Sequence, residues 1–473
     1  MRLTLRLLLA APLALCALPS GAQQPTVAGT SSRAALVARL DSLARDFLAE
    51  GPSSGATVAV VRGSDTLLLE GVGQRDRERS LPATASTVYR VGSITKQFTA
   101  AAIMKLVEQG KIGLADRVTK YLPQYPQWSD VTIRQLLNHT SGIHSYTSDA
   151  SWQKSWANDL APAQVVAFVE KDTFDFAPGT SFRYNNTGYM LLGMVLEQVT
   201  GEPYASYVGK TLFAPTGMTS AAYCPSRTSS DSYAAGYDQR GGGLAPTQYL
   251  SMTHPWAAGA LCMSVPDFLR WQAAFSGGRV VSPATYAQMS TSDTLNTGVR
   301  TGYGFALYGA RLGEHHLIHH GGAVNGFSTQ QLWLPDDSLR VVVFSNTSGS
   351  NPNWLARNLA SAVLGLPLQK NVKLPPAVAL PAADRAKYEG TYALASTSST
   401  SVLPLRIWAK GDGLSAQVQQ PGQGEFPLRY LGNDTFGSPV DPGIRIVMVV
   451  ESGRAVKARL EQGGATLEGA RQQ

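Results

Sequence analysis

The sequence predicts a mixed α/β fold: a mainly antiparallel sheet flanked by helices, a helical subdomain drawn from the middle of the chain, and a small all-β domain at the C-terminus. Three observations lead there. A helix is followed at once by a hairpin near the start. Helical patterning dominates the stretch from about residue 94 to residue 217. Short alternating segments recur after about residue 383.

Taken in order, Leu36, Leu40, Leu43, Phe47 and Leu48 recur at helical spacing and predict a helix over 33–50. Residues 55–61 and 66–72 read as two strands joined by a turn at Gly63-Ser64-Asp65. Phe98, Ala101, Ile103, Met104, Leu106 and Val107 predict a helix from Ile94, ended by Gly110 and Gly113. A polar and mostly helical stretch covers 116–217 and includes an apolar helix over 189–199. Residues 303–307, 330–334 and 340–344 look like strands, the last two separated by a Pro335-Asp336-Asp337 turn. Pro367, Pro375, Pro376 and Pro381 mark a linker over 366–382. Beyond it, 402–407, 414–418, 426–428, 444–450 and 456–460 alternate as strands. The division is therefore 1–22 as an export signal, 23–365 as the main domain, 366–382 as linker and 383–473 as the β domain. No internal repeat is present.

The chain has 473 residues, of which 44% are hydrophobic and 15% charged, as in folded proteins and unlike disordered ones. The formal net charge of +7 comes from scattered single Arg residues without a basic block, which argues against a nucleic-acid partner. Arg2 and Arg6 precede an apolar run, 7–18, that is too short to span a bilayer, and Ser20-Gly21-Ala22 offers a cleavage site. Periplasmic or secreted localisation is expected after cleavage near Ala22. Leu15 stands where a lipoprotein signal using Cys16 would need a small residue. No later run is long enough to span a membrane, so an integral membrane protein is not expected. Cys224 and Cys262 remain after cleavage, as either an export-permitted disulfide or two buried thiols.

Ser93-Ile94-Thr95-Lys96 opens the long apolar helix. Residues i and i+3 share a helix face, so the Lys amine can reach the Ser hydroxyl and, if burial lowers its pKa, take the proton. Alone, the tetrapeptide is a weak signal and reads better as a helix N-cap followed by a solvated lysine. Ser151-Trp152-Gln153-Lys154 repeats it in polar surroundings and reads as surface. Tyr184-Asn185-Asn186 precedes the helix at 189–199; a phenol beside a Lys can carry protons, and an Asn amide can hold a substrate carbonyl. His319-His320-Gly321-Gly322-Ala323 precedes a strand; its glycines allow close backbone approach, and the Ala323 N–H with that of Ser93 would form an oxyanion hole. The His of this element is a donor for a substrate carboxylate or for the Tyr oxygen. Tyr303 and Phe327 are candidates to line the cleft or, equally, to belong to the core. His315/His319 and His316/His320 also have the i, i+4 spacing of helical zinc ligands, but among Gly and strand-like residues and without His-Glu-x-x-His, so neither metal nor cofactor is expected.

The order Ser93-x-x-Lys96, Tyr184-x-Asn186, His320-x-Gly322 resembles the serine β-lactamase and penicillin-binding-protein superfamily, in the branch of class C β-lactamases, D-alanyl-D-alanine carboxypeptidases, D-amino-acid peptidases and related esterases. The segments 89–98, 133–143, 184–193 and 320–327 are similar to that branch as well, so the resemblance covers about 35–365. It implies the β-lactamase/transpeptidase-like fold, with the site between the sheet and the helical subdomain. It also implies Ser93 as acylated nucleophile, Lys96 and Tyr184 sharing the general-base work, and Asn186, His320, Gly322 and Ala323 binding substrate. Substrates would be small molecules or peptides, peptidoglycan-derived ones among them, hydrolysed as amides or esters. His320-Gly321-Gly322 departs from the Lys-Thr-Gly of many relatives. A fixed cation is missing, which favours peptidase or esterase chemistry over the alternatives, a class C-like β-lactamase or an acylable sensor without turnover.

Overall fold

The computed structural model describes residues 33–472, apart from 52, 150, 225–230, 241–242, 370–377, 396–401, 412, 419–425, 439–442 and 463–464. The expected export signal and the centre of the expected linker lie outside the described residues.

The strand Leu339–Ser345 is hydrophobic on consecutive residues because the sheet is covered on both faces. Val341 and Val343 pack on one side with Val58 and Val60, beneath the helices Arg33–Glu50 and Pro352–Leu364. Val342 and Phe344 point to the other side, with Ala59, into the larger core beneath the helical subdomain. Among the described residues the sheet has seven strands in the spatial order Leu81–Pro82, Asp65–Asp76, Gly55–Arg62, Leu339–Ser345, Phe327–Leu334, His315–Val324, Tyr308–Leu312. Every neighbouring pair is antiparallel. Gly55–Arg62 pairs with Leu339–Ser345, so the beginning and the end of this domain close on each other at the sheet centre.

Two expectations need correction. Residues 303–307 form a loop, because Gly302 and Ala306 take φ of 76° and 62° and break the extended path; the strand begins at Tyr308. The histidine segment does not precede a strand but is one, His315–Val324, turning at Asn325-Gly326 into Phe327–Leu334. Strand rise separates His315 from His319 by about 13 Å, so the helical zinc-ligand spacing has no meaning here.

The C-terminal segments form a closed barrel whose strands run from Gly390–Ala395 to Ala465–Ala470, the last pairing back on the first. Its interior is filled by its own side chains, including Tyr392, Leu405, Ile407, Phe436, Ile446 and Met448. No helix among the described residues is long and apolar enough to cross a membrane.

Cys224, just after the strand Ala222–Tyr223, forms a disulfide with Cys262 of the paired strand Leu261–Ser264, with Cα atoms 5.1 Å apart. With a sequence separation of 38 residues, the chain-entropy argument assigns the bridge about 3–4 kcal/mol. Cys262→Ala is therefore expected to lower the free energy of denaturant unfolding by about that amount, and a non-reducing digest of the wild type should yield the linked Cys224–Cys262 peptide.

Candidate active site

Ser93 sits in a single 3-10 turn, Gly92–Ile94, that leads into the helix Thr95–Glu108. Its hydroxyl caps neither element, so the N-cap reading of this serine does not hold. The turn is clamped from two sides. Val91 N donates to Leu261 O at 3.0 Å and Leu261 N donates to Thr95 Oγ1 at 3.1 Å. From the sheet, Thr329 Oγ1 donates to Val91 O at 3.0 Å. Gly92 takes φ of 54°, and a Cβ there would lie 2.7 Å from Ala323 N. The turn therefore brings the backbone of Ser93 up against that of Ala323, as an oxyanion hole between the two N–H groups requires.

Lys96 is wholly buried. Its Nζ meets three oxygens: Ser93 Oγ at 3.1 Å, Asn186 Oδ1 at 2.8 Å and Ala258 O at 2.8 Å. Burial holds its pKa well below the ordinary lysine range. A neutral amine has two protons and one lone pair. The amide and carbonyl oxygens can only accept, so they take the two protons, and the lone pair is left for the one partner that can donate, the Ser93 hydroxyl. The rings of Tyr184 and Tyr189 lie 4.7 and 5.4 Å from Nζ and would stabilise an ammonium when one forms.

The Tyr-x-Asn spacing follows from one extended residue. Asn185, at φ −141° and ψ 123°, caps the helix Asn186–Thr200 by accepting from Gly188 N at 2.6 Å. Alternation then turns Tyr184 and Asn186 to the opposite side, towards Lys96. Asn186 Nδ2 donates one proton to Thr147 Oγ1 at 3.1 Å, and its second proton is available to a ligand. The Tyr184 hydroxyl is buried beside Ser93. Burial raises its pKa well above the usual phenol value, with Ser93 pulling the other way, so it stays protonated at neutral pH.

His320 is 2% exposed, and both ring nitrogens are engaged inside the protein. Nε2 lies 3.0 Å from Tyr303 Oη, and Nδ1 lies 2.6 Å from Gly321 O. Burial takes its pKa down to about 3. Donation to a substrate carboxylate would require breaking one of these bonds. Gly322 shares the face of His320; a side chain there would overlap Val91 O and Thr329 Oγ1. Of the two readings open for Tyr303 and Phe327, cleft-lining or core, the structure shows core: they are 0% and 3% exposed. The second Ser-x-x-Lys is surface: Ser151 and Lys154 are exposed, and the Ser151 hydroxyl donates to Asp149.

The structure thus brings Ser93, Lys96, Tyr184, Asn186, His320, Gly322 and Ala323 to one place. Sequence reasoning missed Ala258, Thr329, Thr147 and His139. His139 lies in the 133–143 segment that carried part of the resemblance. The others are a backbone carbonyl and two threonines that no local pattern distinguishes.

The family model described as Beta-lactamase matches residues 40–366. The chain belongs to the Beta-lactamase family. Within this family it is similar to a D-aminopeptidase of Gluconobacter oxydans (strain 621H), 26% identical over 438 residues that cover 90% of this chain and 77% of that protein. Among solved structures, it matches an octameric penicillin-binding protein homologue from Pyrococcus abyssi at a TM-score of 0.65 and 26% identity, covering 91% of this chain and 99% of that one. It also matches a D-stereospecific amidohydrolase from Streptomyces sp. at a TM-score of 0.62 and 26% identity, covering 71% and 100%. This Beta-lactamase-family protein is thus a serine hydrolase with a penicillin-binding-protein-like fold.

Because the Ser93 turn and the His320 strand meet backbone to backbone, Gly322→Ala should push them apart. The expected result is a loss in kcat of about a hundredfold, the scale of an ångström-sized misplacement, with the far-UV circular dichroism spectrum retained.

Proposed function

We propose that the protein is an exported serine hydrolase that opens small amides or esters, D-amino-acid amides and D-peptides among them, through an acyl-enzyme on Ser93. The observation that carries this reading is the buried Lys96 Nζ 3.1 Å from Ser93 Oγ, with the other two partners of Nζ unable to donate. The likeness to a D-aminopeptidase and a D-stereospecific amidohydrolase supports the substrate class. The n-region of Arg2 and Arg6 and the disulfide between Cys224 and Cys262 support export to an oxidising compartment.

In the proposed reaction, Lys96 takes the Ser93 proton as Oγ bonds to the substrate carbonyl carbon. The oxyanion is held by the backbone N–H groups of Ser93 and Ala323, and the second Nδ2 proton of Asn186 orients the substrate amide. As the C–N or C–O bond breaks, Tyr184 gives its phenol proton to the leaving group and regains one from the Lys96 ammonium. Water then repeats the sequence on the acyl ester, with Lys96 again accepting the proton, and Ser93 is released. Tyr184 acts here as a proton carrier and not as a resident phenolate, because burial disfavours its anion.

Ser93→Ala should lower turnover by about three orders of magnitude or more. Intact-mass analysis after a fluorophosphonate should show one adduct per chain, absent in that variant. No adduct on folded wild type would remove the serine-hydrolase reading. A parallel penicillin incubation separates the neighbouring readings: a persistent adduct without turnover points to a sensor, and rapid drug hydrolysis to a β-lactamase.

The pH profile follows from the sign of the Lys96 shift. A base with a depressed pKa is active above that pKa and is lost as pH falls through it. The kcat/KM should therefore fall on an acid limb that lies well below the ordinary lysine value of about 10.4, with no rise at that value.

A further inference from the structure

The element Ile133–Leu137 ends at Asn138, whose Oδ1 accepts from Thr140 N at 3.1 Å and from Thr140 Oγ1 at 2.7 Å. Asn138 Nδ2 donates to Asp293 Oδ2 at 2.8 Å. Between these anchored residues, His139 is held at φ 62°, a left-handed conformation that turns its ring into the protein. There the imidazole touches the rings of Tyr184, Tyr189 and Tyr303, with centroids 4.3, 5.2 and 4.8 Å away.

Four hydrogen bonds join this ring to the third element of the site. Asn185 N meets His139 Nδ1 at 3.2 Å, and His139 Nε2 meets Tyr303 Oη at 3.2 Å. Tyr303 Oη meets His320 Nε2 at 3.0 Å, and His320 Nδ1 meets Gly321 O at 2.6 Å. The ends of the chain dictate its polarity. A backbone N–H at one end makes His139 Nδ1 an acceptor, so the proton of that ring is on Nε2 and points at Tyr303. A backbone carbonyl at the other end places the His320 proton on Nδ1, so Nε2 accepts from the Tyr303 hydroxyl.

One more proton breaks this chain. On His320 Nε2 it would face that of Tyr303, whose hydroxyl cannot turn to His139 and would have to give up His320 for Tyr189. The titratable groups around the two imidazoles are Tyr184, Tyr189, Tyr303, Tyr308, His319 and Lys96, and no carboxylate pulls on either ring.

We infer that His139 and Tyr303 are positioning residues that lock His320 as an uncharged imidazole with both nitrogens occupied, so that the site selects acyl donors with no carboxylate beside the scissile bond. This rests on the serine-hydrolase reading and narrows it. A carboxypeptidase must accept a free C-terminal carboxylate next to the bond it cuts, whereas this third element presents no cation to receive one. Simple amides, esters and amide-capped peptides satisfy it.

The test combines ¹⁵N-histidine NMR of the full chain with kcat/KM for D-alanyl-D-alanine and its C-terminal amide. In the wild type, His139 should be protonated on Nε2 and His320 on Nδ1, with neither titrating from about pH 8 to about pH 5. The capped dipeptide should be preferred by about tenfold or more, the factor that 1.4 kcal/mol represents. In Tyr303→Phe, His320 should keep its proton on Nδ1, held by Gly321 O, but with Nε2 released its titration should move up from the wild-type value, and the preference for the capped substrate should shrink as pH falls through the new value. A wild-type His320 that titrates above about pH 5, a preference for the free acid, or a variant with unchanged titration would each overturn the inference. If the variant does not fold, the wild-type spectrum still decides. The same spectrum recorded on Ser93→Ala requires no turnover, so failure of the hydrolase reading, seen as absent labelling of Ser93, is distinguishable from failure of the lock.

Discussion

The structure around the site depends on keeping one lysine amine dry. Lys96 is buried with two obligate acceptors, Asn186 Oδ1 and Ala258 O, and one partner of either sense, Ser93 Oγ. An ammonium without a counter-ion at that depth is costly, so burial lowers its pKa and favours the neutral amine, whose lone pair can face the serine. Much of the surrounding architecture serves this arrangement. The helix Asn186–Thr200 delivers one acceptor, the short helix Trp256–Gly259 delivers the other, and the strand Leu261–Ser264 ties that second segment to the turn carrying Ser93. The disulfide pins the same strand from its far side.

A second constraint is the contact of two backbones. Gly92 with its positive φ, and Gly322 with no side chain, let the Ser93 turn and the strand His315–Val324 touch at Ala323. Thr329 fastens the contact by donating to Val91 O, with Gly322 O at 3.3 Å from the same hydroxyl. The glycine of the third element is therefore explained by the space that the nucleophile turn requires, independently of any substrate. His320, two residues earlier on the same strand face, points into the protein, where Tyr303 and its own backbone occupy it. The third element consequently acts as a wall and a backbone donor, and its charge state belongs to the core network that includes His139.

The C-terminal barrel stands apart in its construction. Its interior is a packed core of aromatic and aliphatic residues, and its first and last strands pair to remove the open edges. Its closure was not readable from alternation alone, since an open sandwich and a closed barrel share the same period of two.

Residue pattern by itself determined the helix over 33–50, the N-terminal hairpin, the strands around Pro335, the β character of the tail, and the nucleophile segment. Each of these is encoded by local spacing: 3.6-residue periodicity, alternation, or a hydroxyl and an amine three residues apart. Only the tertiary structure decided what those residues do. The lowered pKa of Lys96 comes from its burial, and the direction its amine takes comes from Asn186, 90 positions away, and Ala258, 162 positions away. The histidine segment folds as a strand because neighbouring strands flank it on both sides, and 303–307 forms a loop because two residues adopt positive φ in a crowded core. The neutrality of His320 arises from its burial, and its tautomer from a chain of bonds that begins at the Asn185 backbone and passes through His139 and Tyr303 to the Gly321 carbonyl. Burial and hydrogen-bond polarity are properties of what surrounds a group in space, and spacing along the chain does not record them.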